Sequence, residues 1–223
     1  QILWSPDGKW IALAGLIPQE HARPIADMYV VRSDGSKTTK LTQSSRDLNG
    51  IFCQPDSKSL LFFEYGENPD IFQIDISSKE IAPLMDHPVP AVPAGYSTDS
   101  DRLLVWNGES GKMSLIDFSA GGTMIPLAGS GGYDSYPAWS SYGQKIIYMC
   151  RTGDSHDICL MNADGSAQIN LTAGSGVANY WPSISPDGKW IVYLTASENQ
   201  WNTMIISADG SKKKQVTDVI GLI

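Results

Sequence analysis

The sequence predicts an all-β fold, a β-propeller of five four-stranded antiparallel blades. Three observations predict it. A turn motif returns at spacings of 49, 43, 43 and 45 residues, two further landmarks keep the same beat, and the apolar runs between them are too short and too uniformly apolar for helices.

The turn motif opens each repeat. Ser5-Pro6-Asp7-Gly8-Lys9-Trp10-Ile11 recurs unchanged as Ser185-Pro186-Asp187-Gly188-Lys189-Trp190-Ile191, with degenerate copies beginning at Gln54, Ser97 and Ser140. Asp-Gly at such a point predicts a tight hairpin turn, because its backbone needs positive φ. The strands that follow, 10–14, 60–63, 103–106, 146–149 and 190–194, are apolar on both faces. An exposed antiparallel sheet alternates polar and apolar residues, so these runs predict sheets covered on both sides, as stacked blades are. The second landmark begins a third strand at Asp27-Met28, Asp70-Ile71, Lys112-Met113, Asp157-Ile158 and Asn202-Thr203. The third landmark closes the unit at Leu41-Thr42, Leu84-Met85, Leu127-Ala128, Leu171-Thr172 and Val216-Thr217. Blade boundaries follow near 1–43, 44–86, 87–129, 130–173 and 174–218, making 1–223 one propeller domain.

Ser-Pro-Asp-Gly-Lys before an apolar strand, Asp157 to Gly165 and Leu171-Thr172 together resemble the TolB-like propeller repeat, a WD-repeat-like β-propeller family, over essentially the whole chain. Repeat 3 departs from the pattern, with Ser97-Thr98-Asp99-Ser100 and no Asp before Met113. The resemblance implies a scaffold used in bacteria by an envelope-binding periplasmic protein, by propellers attached to serine peptidases and by sensor domains. It also raises the question of ring size, since the family usually closes rings of six or more blades. A closed ring of five is preferred here over a fragment of a larger ring. Because the first residues already lie inside a repeat, the chain is expected to be excised from a larger protein, with other domains of that parent as partners.

Several function classes lose support. A net charge of -8 opposes nucleic acid and anionic membrane surfaces, and no stretch has the 18 or more apolar residues of a membrane helix. Lys212, Lys213 and Lys214 read as an edge strand guarded against aggregation. No metal or cofactor is expected, since His21, His87 and His156 fall in different repeats without ligand spacing. No catalytic residue is expected either. Gly108-Glu109-Ser110-Gly111 misses the nucleophile-elbow spacing, and the recurring aspartates Asp7, Asp56, Asp99, Asp187, Asp27, Asp70 and Asp157 read as turn and loop hydrogen-bonders. Three cysteines make an odd count, so Cys53, Cys150 and Cys159 are expected as free thiols, the last two buried, and the compartment stays open.

What remains is surface recognition. In an up-and-down meander, the loops joining strands two and three share one rim with the links between blades. That rim should carry His21, Arg23, Arg46, His87, Tyr133, Asp134, Tyr180 and Trp201 as partner-binding residues, while Tyr136 and Trp181 should plug blade junctions. The expected function is a non-catalytic recognition or sensor module for a protein or peptide. The competing class is the propeller of a hydrolase or carbohydrate-active protein that gates or binds substrate.

Overall fold

Each repeat folds into one meander because left-handed turn residues reverse the chain between its strands. The apolar runs 60–63, 103–105 and 146–150 are buried on both faces, whereas 190–194 buries Ile191 and Tyr193 and leaves Val192 exposed. The computed structural model describes residues 1–17, 25–42, 48–64, 70–86, 89–97, 101–107, 110–127, 129, 133–197, 200–217 and 220–221. Within unit 1, Gln1–Pro93, the first blade is β1 (Ile2–Trp4), β2 (Trp10–Ile17), β3 (Ile25–Arg32) and β4 (Thr38–Lys40). The second is β5 (Leu48–Cys53), β6 (Ser59–Glu64), β7 (Asp70–Asp75) and β8 (Ile81–Pro83). Unit 2, Ala94–Ile223, takes three blades. They are β9 (Val92–Tyr96), which begins just before the boundary, with β10 (Arg102–Trp106), β11 (Met113–Asp117) and β12 (Thr123–Pro126); β13 (Ser135–Trp139), β14 (Lys145–Thr152), β15 (Ser155–Asn162) and β16 (Ile169–Asn170); and β17 (Ala178–Ile184), β18 (Trp190–Ser197), β19 (Gln200–Ser207) and β20 (Lys213–Gln215). Every sheet is antiparallel in sequential strand order, so the five-blade, all-β expectation holds. A short β21 (Ile220–Gly221), which the repeat pattern left over, pairs with the start of β19.

Burial on both faces is visible within β14. Ile146 and Tyr148 enter one cluster with Leu104 and Met161, while their neighbours Ile147 and Met149 enter another with Ile191 and Tyr193. Successive side chains point to opposite faces, so each face of this sheet is covered by a different blade. In unit 1, Met28, Leu60, Phe62 and Ile74 form the core, with the Phe62 ring stacked on Phe72 at 5.6 Å. Each such side chain contributes about 1.5–3 kcal/mol on burial.

The turn motif is a hydrogen-bonded unit. Ser5 Oγ donates to Asp7 Oδ1 at 2.7 Å, the Lys9 N–H donates to the same carboxylate, and the Trp10 N–H donates to Ser5 Oγ. Ser185, Asp187, Lys189 and Trp190 reproduce it at 2.6, 3.1 and 2.9 Å. The turns after the third strands work alike, and Asp209 accepts from Ser207 Oγ and from the Ser211 N–H and hydroxyl. These donors hold the Asp209 carboxyl down at about 2, the Ser207 hydroxyl contributing most. Asp99 lies outside the described residues.

A second unit clamps the blade from inside. Asp157, buried at the head of its strand, accepts from Thr172 Oγ1 at 2.8 Å, from Asn170 and from Asn179, while Thr172 Oγ1 accepts the Ile158 N–H. Asp27 repeats this with Thr42 and Met28, and there the Lys40 ammonium pairs with the buried carboxylate at 2.6 Å.

The cysteines depart from expectation. Cys150 and Cys159 are joined by a disulfide, not present as free thiols. The register of β14 with β15 sets Cys150 opposite Asp157 and Tyr148 opposite Cys159, which puts the two cysteines diagonally on one face with Cα atoms 5.8 Å apart, inside disulfide reach. Cys53 stays free and half-buried, and burial pushes its thiol up to about 11.

Two outcomes follow from these interactions. Asp209 is bound more tightly as an anion in the folded chain, so its contribution is complete above the ordinary carboxylate range and is lost as pH falls toward about 2. Urea unfolding is therefore expected to show Asp209→Asn less stable than the parent at neutral pH, with the difference closing between about pH 4 and pH 2. Thiol titration of the unreduced, denatured chain is expected to find only Cys53. Opening the disulfide, which spans a sequence separation of 9, should cost about 2–3 kcal/mol in the same unfolding assay.

Candidate functional site

Two first strands in unit 2 break their ladder at the same repeat position. β13 shifts register between Ser135 and Ala138, and β17 between Tyr180 and Ser183. The residues inside these bulges, Tyr136 and Trp181, adopt φ of 50° and 49°. This is left-handed backbone that a bulky side chain occupies only when its surroundings hold it there. At Trp181 they do: its N–H, released from the ladder, donates to Met149 Sδ at 3.4 Å. Just before it, fully buried Asn179 donates to Ser175 Oγ and the Val177 carbonyl, both at 3.0 Å, and reaches Asp157.

Tyr136 and Trp181 therefore do not plug blade junctions. They are 53% and 49% exposed, because the bulge turns each ring away from the sheet. Trp181 lies flat on Trp201, with centroids 5.4 Å apart and planes 15° from parallel. Tyr180 packs against both indoles at 5.8 and 5.3 Å, and His156 packs against Tyr180 at 5.5 Å. Tyr136 makes a smaller pair with Trp106 at 5.7 Å. The four-ring platform draws on the β14–β15 hairpin through His156, on the strand opening the next blade through Tyr180 and Trp181, and on the β18–β19 hairpin through Trp201. Within this unit the loop-bearing ends thus converge as the meander requires.

Of the expected partner-binding residues, Tyr180 and Trp201 meet in this platform, and sequence reasoning missed Trp181, its most exposed member. The signal was present in two aromatics one repeat apart, but each precedes proline, and the bulge they form is invisible to a period-two pattern. Tyr133 is half-buried beside Gly111, whose left-handed φ of 66° leaves room for it where a Cβ would lie 2.8 Å from the Tyr133 Cα. Asp134 is corrected: it is 1% exposed, and its N–H donates to the Gly111 carbonyl, so it anchors a linker instead of meeting a partner. Its charge, after burial itself, helps push the Tyr148 phenol up to about 12. His21, Arg23, Arg46 and His87 lie outside the described residues, as do Gly108 and Glu109. Among the described residues no three His, Cys, Asp or Glu side chains gather as metal ligands, and no helix is long and apolar enough to cross a membrane.

A family model described as the TolB beta propeller domain matches residues 3–181 and 54–223. No curated protein sequence matches the chain. Among solved structures, TolB from Acinetobacter baumannii is 24% identical, with a TM-score of 0.72 over 96% of this chain and 53% of that one. The putative TolB from Agrobacterium tumefaciens is 18% identical, with a TM-score of 0.71 over 99% and 80%. An oligogalacturonate lyase in complex with manganese is 16% identical, with a TM-score of 0.72 over 97% and 64%. At these identities the likeness is one of fold, and the chain spans about half the length of the Acinetobacter protein.

The platform's internal support is measurable. Trp201→Ala removes the ring beneath Trp181 and beside Tyr180, and is expected to cost about 1–3 kcal/mol in chemical unfolding, less than a fully buried tryptophan. It should also shift the remaining tryptophan fluorescence to the red as Trp181 gains solvent.

Proposed function

We propose that this chain, which belongs to the TolB beta propeller domain family, works as a non-catalytic recognition or sensor module whose contact surface for a protein or peptide is the platform of Tyr180, Trp181, Trp201 and His156. The observation that carries the reading is the half-exposed Trp181, kept in left-handed backbone and stacked on a second indole. Exposed, rigid aromatic rings are what binding hot spots use, since they bury large area with few rotatable bonds. His156, Asn179 and the β14–β15 hairpin hold the rings in place, so little order is lost on binding. The Cys150–Cys159 disulfide fits an oxidising compartment. Further domains of a parent chain, and the platform's partner, belong to the same proposal.

A second reading, a propeller that gates or binds substrate for a hydrolase or carbohydrate-active protein, draws on the fold shared with the oligogalacturonate lyase and on the affinity of flat indoles for sugar rings. The two separate experimentally. Selection from a displayed peptide library is expected to enrich binders whose affinity falls about thirtyfold in Trp181→Ala, the equivalent of roughly 2 kcal/mol. Circular dichroism of that variant checks its fold. Absence of enriched peptides, together with Trp181-dependent binding on an oligosaccharide array, would favour the second reading instead.

A further inference from the structure

Basic residues are scarce in this chain, yet they gather at one place in unit 1. The chain has 16 lysines and arginines and a net charge of -8. At the end of the first two blades that carries the turns after the first and third strands, a cleft of about 820 Å³ is lined by Lys9, Arg32, Lys37, Lys58 and Lys79. Only two carboxylates line it, Asp7 and Asp34. Asp7 is held by the Ser5 hydroxyl and paired with Lys9 at 3.1 Å, and Asp34 accepts from the Ser36 N–H. Among the described residues, Arg32, Lys37, Lys58 and Lys79 have no carboxylate within ion-pairing distance.

The backbone of the second blade marks the same cleft independently. Gly8, Gly143 and Gly188 close the first turn of their blades at φ of 69°, 66° and 69°, but the second blade places Ser57 there at 57°. Turns after the third strand use Gly35, Gly165 and Gly210 at 74°, 83° and 74°, but the second blade uses Lys79 at 63°. A side chain in left-handed backbone costs energy that glycine would not. Both exceptions line the cleft. Ser57 also ties its two walls together, since its Oγ accepts the Asp7 N–H at 3.1 Å and its carbonyl accepts Trp10 Nε1 at 2.9 Å.

We infer that this cleft binds a short acidic segment of a protein, whose Asp and Glu side chains meet the five cations. A lone phosphate is drawn to a bidentate arginine or a nest of N–H groups, whereas here lysines are spread over two blade ends. A long polyanion would be repelled by the rest of an acidic chain. A short segment avoids this, because at physiological salt that charge is screened beyond about 8 Å.

The test uses the whole chain and a hexaglutamate peptide in calorimetric titrations. Saturable binding that weakens steeply with added salt is expected. Lys79→Gly should keep or raise the melting temperature, because glycine suits the turn, yet weaken binding about threefold to fivefold, as loss of one exposed ion contact does. Charge reversal at both Lys37 and Lys58 should abolish it. Lys212→Glu, in the matching turn of the fifth blade, should leave it unchanged. No binding, equal affinity in Lys79→Gly, or equal loss in Lys212→Glu would overturn the assignment. So would inorganic phosphate that displaces the peptide with comparable affinity.

Discussion

In the first, second and fourth blades, the carboxylate of Asp27, Asp70 or Asp157 near the start of the third strand is the interaction on which the blade and the link to its successor depend. Asp157 is buried, and an ionised group in that position costs several kcal/mol unless donors surround it. Asn170, Thr172 and Asn179 surround it, and they come from the outer strand, the link that follows it and the start of the next blade. One charge therefore fixes where a blade ends, how its outer strand returns and where the next first strand begins. Asn179 stands immediately before Tyr180 and Trp181, so the aromatic platform is placed by the same carboxylate that closes the fourth blade. In the first blade, Asp27 recruits the Lys40 ammonium to the same task.

The scaffold was legible because repetition converts weak local signals into strong ones. A single Asp-Gly or apolar run is ambiguous, whereas three landmarks on one beat are not, and the meanders and turn hydrogen bonds lie where those landmarks put them. The recurring aspartates were legible for the same reason, since a residue needed in every blade serves the blade. The cysteines were not, because an odd count leaves pairing open. Only the register of β14 on β15 puts Cys150 and Cys159 on one face. Asp134 was misread because a linker residue between polar neighbours looks exposed until its N–H is seen to bond Gly111.

The site was half legible. Tyr180 and Trp201 could be placed on the loop-bearing rim by topology alone, but their contact could not, since it depends on a bulge. A bulge inverts the alternation of side chains from one residue to the next. Trp181, which strict alternation assigns to packing, is thereby turned outward. Tyr136 undergoes the same inversion one blade earlier, and the first strand of the second blade breaks register at Gly50, so the bulge recurs among the repeats while the stacking on Trp201 belongs to the fifth blade.

The repeats also act as internal controls for one another. Most left-handed positions in the described turns are glycines, so the residues that hold such backbone without being glycine identify where a side chain is needed. There are five among the described residues. Tyr136 and Trp181 present rings at the bulges, Ser57 and Lys79 line the basic cleft, and nothing in the structure explains Ala167. Each costs roughly 1–2 kcal/mol against glycine, which is a sizeable fraction of a domain's stability. Three of the five, Trp181, Ser57 and Lys79, fall on the two surfaces best furnished for binding, and Tyr136 holds the position equivalent to Trp181 one blade earlier. The inference runs from observed strain to function. It reaches the aromatic platform and the basic cleft by one route, although they differ in chemistry and lie in different units.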